Sequence, residues 1–159
     1  RDALFGWAAE RMVRKEAAVG VPSYLYLFDH DYRAARARGL HGFHASEVPF
    51  VFGDVGPNAN LPVNWPRPDS ADDIALSEAM MNYWTSFARS GVPTSPAQPA
   101  WPSFAPGKRY MRFDRKPVAS TDLYPGTYTL NEETVSRRRR AGDLQWFFNV
   151  GVAAPASYK

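Results

Sequence analysis

Three histidines, His30, His41 and His44, are the only imidazoles among 159 residues, and there is no cysteine. His44 carries the clearest chemistry. It follows an aromatic run and a glycine-bounded polar stretch, and it stands just before a short helical pattern, so its backbone can be held by the turns around it. A histidine held in that way can act as a general base, taking a proton from a nucleophile and returning it to a leaving group. The nucleophile is the difficulty: no Gly-x-Ser-x-Gly elbow occurs in the chain, and no thiol can replace the serine. By spacing alone a histidine beside a phenylalanine is more often a satisfied core or surface residue than a catalyst; if His44 is a base, its nucleophile must come from elsewhere. Metal binding is the other chemistry to weigh, because His41 and His44 are three residues apart with Asp29, His30 and Asp31 nearby. That spacing gathers ligands only on a helix, and Gly39 and Gly42 argue against one there. No metal is expected, and His30 and His41 read as solvated loop residues.

The elements that must position His44 follow from periodicity. Phe5, Ala8, Ala9, Met12 and Val13 recur at helical spacing with Arg11, Arg14, Lys15 and Glu16 opposite, and Gly20 and Pro22 end that helix. Ser23 to Phe28 is a continuous apolar and aromatic run, suited to a strand buried on both faces of a mostly parallel sheet. Asp29 to Gly42 reads as a loop at its carboxyl end, where open α/β sheets carry their sites. A short helix is expected over Ala45 to Val51. Residues 54–69 are too rich in Pro and Gly for regular structure. Ser70 or Asp69 then caps a helix whose apolar face comprises Ile74, Leu76, Met80, Met81, Tyr83, Trp84 and Phe87, and Gly91 with Pro93 stops it. After an irregular link over 96–106, Tyr110 to Asp114 alternates like an edge strand with Pro117 soon after. A last helix is expected to start at Asn131, with Glu132 and Glu133 in its first turn, and to run through the arginines to Trp146, Phe147 and Phe148.

Composition sets the bounds. A 45% hydrophobic, 14% aromatic chain has the material for a core, which rules out disorder as a general description. The net charge of +3 is smaller than the four charges of Arg137 to Arg140. One basic helical turn without interleaved aromatics is a solvated face, and no nucleic-acid partner is expected. No stretch approaches the ~20 apolar residues of a membrane-spanning helix, so no membrane partner is expected either. The absence of cysteine removes disulfides and leaves the compartment open between secreted, periplasmic and cytoplasmic.

Gly42-Phe43-His44-Ala45-Ser46-Glu47-Val48-Pro49-Phe50-Val51-Phe52-Gly53 closely resembles the histidine segment of the type B carboxylesterase/cholinesterase family of α/β-hydrolases. Asp2 with Phe5 and Tyr24 to Phe28 look like the family's helix and strand before that histidine. Met80 to Pro93 resembles its Trp-x-x-Phe-Ala-x-x-Gly-x-Pro helix ending, and Trp101 to Phe104 with Tyr110-Met111 its terminal segment and last strand. The resemblance thus covers nearly the whole chain, and the lack of cysteine brings it nearest the bacterial members.

What the resemblance implies is an α/β fold, residues 1–159 being the C-terminal portion of a single α/β-hydrolase catalytic domain with the last strands of its mostly parallel sheet. It implies that His44 is the histidine of a Ser-His-Glu triad cleaving carboxylic esters through an acyl-enzyme. The serine, the triad glutamate and the oxyanion hole would come from an N-terminal portion as partner, with a small ester as substrate and no cofactor. Alone, the chain would be inactive. Glu47 matches a family acid and is expected either to buttress the loop by accepting backbone N–H bonds or to act as a capping acid. Leu40, Phe43 and Ser46 flank the base and are candidates to line the ester pocket. The rival of another class is a catalytically silent, cholinesterase-like interaction domain.

Overall fold

The computed structural model describes residues 5–142. Asp2, and Trp146 to Phe148 of the expected last helix, lie outside the described residues. Three strands form one sheet in the order β1 (Tyr26–Phe28), β2 (Arg109–Phe113), β3 (Pro117–Thr121). β1 runs parallel to β2, with Tyr26 opposite Met111 and Phe28 opposite Phe113, and β2 and β3 are antiparallel. The pleat sends alternate residues to opposite faces. On one face Phe28, Met111 and Phe113 join Tyr32, Phe50, Leu76, Met80, Tyr83 and Trp101 in the larger core. On the other, Leu25 and Tyr110 join Val13 and Phe104 in a smaller one. The result is a sheet between two helical layers, the architecture of an α/β domain.

α1 (Trp7–Ala18) and α5 (Thr127–Arg140) pack together on the second face. α1 turns Trp7, Glu10 and Val13 inward; of the expected apolar face only Val13 is buried, and Phe5, Ala8, Ala9 and Met12 are left in the open. Glu10 is buried by bonding Arg14 (2.6 Å), whose guanidinium stacks over Phe104 and Tyr128. α5 begins four residues before the expected Asn131, so its glutamates fall beyond the first turn. Glu132 instead accepts from the Trp7 indole (2.9 Å) and pairs with Arg11 (3.0 Å), joining the two helices. Arg137 to Arg140 fill the last turn, where cations favour the macrodipole.

α4 (Ala71–Ser90) is capped as its sequence implies, and of its expected apolar face Leu76, Met80 and Tyr83 are buried while Ile74 and Phe87 are exposed. Ser70 and Asp73 form a reciprocal capping box, and Gly91 ends the helix at φ 74°; the cap is worth about 1 kcal/mol. α3 (Val48–Phe52) starts three residues later than expected, with Pro49 in its first turn, where a missing N–H costs nothing. It packs on α4, and the Ser77 hydroxyl donates to the Phe50 carbonyl at 2.8 Å.

Four further expectations change. β1 is three residues long, and among the described residues it is paired on one side only; Tyr26 is 37% exposed, so the strand is not buried on both faces. β2 is central rather than an edge, because Pro117 opens β3 at a position needing no N–H instead of ending the sheet. The 29–42 loop contains a helical turn, α2 (Arg33–Arg36), that buries Ala35 completely. Trp84 is only half-buried, whereas Trp101 is 7% exposed and donates its indole N–H to the Leu25 carbonyl (3.2 Å). Trp101→Ala should therefore cost about 3–5 kcal/mol in denaturant unfolding and Trp84→Ala clearly less; a larger loss at Trp84 would contradict this core.

Candidate active site

The carboxyl end of β1 organises the site. Asp29 closes the β1–β2 ladder by donating its N–H to the Phe113 carbonyl (2.7 Å). The chain then loops away and returns through Gly42, which lies against the strand end. A Cβ on Gly42 would stand 2.9 Å from the Phe28 carbonyl oxygen, so only glycine lets the returning segment come this close. His44 follows two residues later in a turn that includes Ala45 at φ +65°. Its ring is exposed, stacks on Phe5 with centroids 5.8 Å apart, and makes no hydrogen bond among the described residues.

Ser46 braces this turn from beneath. Its hydroxyl accepts the Phe43 N–H (3.1 Å), its own N–H donates to the Phe43 carbonyl (3.0 Å), and it is 1% exposed. Glu47 does not have the expected capping role, although it occupies the N-cap of α3. The first-turn amides are already used: Val48 donates to Ala45, Pro49 has no N–H, and Phe50 and Val51 donate to the Glu47 main-chain carbonyl. The Glu47 carboxylate instead acts on the Tyr26 hydroxyl, whose pKa is raised by burial first and by that negative charge second.

His44, Glu47, Phe43 and Ser46 all line an open groove of about 1050 Å³ between β1, α1 and α4. Leu40 is not among the residues lining it; its N–H bonds the Ala35 carbonyl and its side chain is exposed. The apolar stripe of α1 missing from the core, Phe5, Ala9 and Met12, forms one wall, and Trp84 and Phe87 of α4 the other. The register directs the N–H and C=O groups of Tyr26 and Phe28 away from β2, toward this open side. The groove is thus a sheet edge with apolar surfaces above and below it.

One pair escapes local sequence reading. His30, expected as a solvated loop residue, is 3% exposed, and its Nε2–H donates to the Asp73 carboxylate at 2.6 Å. Forty-three positions separate the two, so no spacing rule announces them. His41 is exposed, as expected. No group of three or more metal-ligating side chains gathers among the described residues, and no described helix is long and apolar enough to cross a membrane.

The model of the carboxylesterase family matches residues 1–131. The chain belongs to that family. It is 31% identical over 148 residues to a medium-chain fatty acyl-CoA hydrolase precursor of Anas platyrhynchos, covering 87% of this chain and 25% of the relative. Mouse neuroligin-3 is 39% identical over 83 residues, half of this chain and 10% of that protein. Among solved structures, a Geobacillus stearothermophilus carboxylesterase superposes with a TM-score of 0.54 at 28% identity, over 75% of this chain and 24% of the enzyme. The three-layer arrangement is accordingly part of an α/β-hydrolase fold, and the chain spans about a quarter of the length of the hydrolase it matches over 148 residues.

The His30–Asp73 pair has a measurable signature. Burial alone would raise the Asp73 carboxyl pKa. The His30 hydrogen bond, the Ser70 backbone and hydroxyl bonds and the His30 charge outweigh burial and hold it below its ordinary 3.8. A carboxyl with a depressed pKa in the folded state stabilises above the ordinary carboxylate range, and that stabilisation is lost as pH falls through the depressed value. Unfolding free energy measured from pH 6 downward should drop through the acid range in the native sequence and less steeply in Asp73→Asn. Parallel curves would show that Asp73 does not contribute to the acid limb.

Proposed function

We propose that the chain is the C-terminal portion of a serine carboxylesterase and that it supplies the general base, His44. In this reading a serine from the N-terminal portion gives its proton to His44 and attacks the ester carbonyl. His44 then protonates the departing alcohol, and water releases the acyl group by the same route in reverse. A glutamate and backbone N–H groups from the same N-terminal portion orient the imidazole and stabilise the oxyanion. No cofactor enters this chemistry.

The observation that carries the reading is the situation of His44. It is an exposed imidazole next to the carboxyl end of a parallel strand, held by Gly42 and the Ser46 turn, facing a groove with no polar partner for it among the described residues. A histidine kept for packing would be enclosed, whereas one that must meet groups from another segment has to be presented. The groove's open edge and apolar walls support the same assembly, since a further strand could pair with Tyr26 and Phe28 and cover the α1 stripe. Uncovered, that edge would favour aggregation.

A second reading, a catalytically silent interaction domain on the same scaffold, draws support from the neuroligin-3 match, a relative whose name carries no hydrolase activity. The two readings diverge at the residue that meets His44. In the full-length protein, hydrolysis of a short-chain p-nitrophenyl ester should be readily measured. His44→Ala should lower turnover by several orders of magnitude with an unchanged melting transition, because triad members act as a unit, and His41→Ala should leave turnover near native. Absence of ester hydrolysis in the native protein would favour the silent domain, and a damaging His41→Ala would reassign the base.

A further inference from the structure

The most deeply buried titratable couple, His30 with Asp73, takes no part in the proton transfer assigned to His44. We propose that His30 and Asp73 form a positioning pair that fixes His44 relative to the reacting atoms; the proposal rests on the esterase reading. His44 makes no hydrogen bond of its own among the described residues, so its place is set by its two flanks. The upstream flank is Gly42, seated on the Phe28 carbonyl and the Asp29 Cα at the end of β1. The downstream flank is α3, held to α4 through Ser77 and the Phe50 carbonyl.

The His30 ring lies between these flanks. It meets Phe28 of β1 edge-on at 6.2 Å, Phe50 of α3 edge-on at 5.5 Å, and Tyr32 at 5.9 Å. Asp73 holds that ring by a 2.6 Å bond and is itself fixed by the Ser70 cap at the first turn of α4. One turn further along α4, Ser77 holds Phe50. The spacing between the end of β1 and the start of α3, across which the His44 turn is suspended, is therefore set through one imidazole and one helix.

The chemistry of the enclosure supports a positional role. Nδ1 of His30 is buried with no hydrogen-bond partner among the described residues, amid aromatic rings where an apolar side chain would pack without that cost. What the imidazole provides that an apolar residue cannot is a single fixed orientation, set by its bond to Asp73. A displacement of about 1 Å at a reacting group can cost about 100-fold in rate. Loss of the bond should therefore appear in turnover and not in substrate affinity.

The test is steady-state hydrolysis of p-nitrophenyl acetate by the full-length enzyme and its His30 variants, each checked for a cooperative melt. His30→Leu fills the volume without the bond and should lower kcat about 10- to 100-fold while KM stays within about twofold. His30→Gln, whose amide N–H can replace Nε2–H, should recover most of the lost turnover. Native kcat in a folded His30→Leu overturns the proposal, as does a matching rise in KM or a His30→Gln no better than Leu. If His30→Leu does not fold, Asp73→Asn, which keeps the shape and removes the charge, decides on the same split: reduced kcat at native KM supports the pair, and native kcat overturns it. A native enzyme without ester turnover would instead overturn the esterase reading itself, independently of any variant.

Discussion

β1 is a three-residue strand that, among the described residues, is paired along only one edge, and much of the molecule's form follows from that constraint. A strand offers hydrogen-bonding groups alternately to both sides, and buried ones need partners. Here Leu25 and Asp29 bond toward β2, and the Trp101 indole reinforces the Leu25 carbonyl. The groups of Tyr26 and Phe28 turn the other way, into the groove. An edge of this kind explains features that are costly in isolation. Phe5, just before α1, and Met12 of α1 are more than half exposed, Phe87 is nearly half exposed on α4, and Tyr26 is partly exposed. They are not scattered surface apolars of the ordinary sort, because they converge on one strand edge from both layers.

Where β1 leaves one side open, α4 closes the other. Its N-terminus is the best-determined helix start in the chain, with Ser70 and Asp73 satisfying each other's backbone groups. Asp73 serves twice, accepting from the cap and from His30, and the second bond fastens the end of β1. Ser77 fastens α3, and Leu76, Met80 and Tyr83 underlie the aromatic core against Met111 and Phe113. The excursion over 54–69 is closed on itself by the Gly56 N–H donating to the Pro68 carbonyl (2.8 Å), and the Tyr32 hydroxyl holds it by donating to the Pro66 carbonyl (3.0 Å). The segment bearing His44 is thus flanked by elements tied to one helix, although His44 itself touches none of α4's anchoring groups.

What could be read from sequence divides along physical lines. Capping chemistry is local, so Ser70 and Gly91 mark α4 to within a residue; the continuous apolar and aromatic run marks β1, of which Tyr26–Phe28 pair, and helical spacing marks α1. The inward face of α1 was only partly readable: of the residues read as its apolar stripe Val13 is buried, while Phe5, Ala9 and Met12 line the groove. The central position of β2 depended on Pro117 beginning a strand, and proline is compatible with either a start or an end. In the site, the family resemblance drew attention to His44 and Glu47, and the structure brings both to one groove with Phe43 and Ser46. It could not assign bonds: that Ser46 rather than Glu47 braces the turn depends on which amides Pro49 leaves free. The His30–Asp73 bond was beyond reach, since a contact across 43 residues between a loop and a helix cap has no periodic trace.

In the proposed assembly, exposure of His44 follows from building one site out of two portions. A histidine acting between a nucleophile and an acid needs both ring nitrogens engaged, and within a single segment this is rarely achieved, because flanking side chains cannot reach both ends of the ring. The chain supplies instead what one segment can supply: a rigid backbone. Gly42 sets how near the strand end the segment lies, Ser46 closes the turn, α3 anchors the far side, and Phe5 limits the ring from one face. The ring atoms are left unbonded among the described residues, which would be a defect in a finished core. At the boundary between two portions of a catalytic domain it is a requirement, since any internal bond would have to be broken before the base could engage its nucleophile.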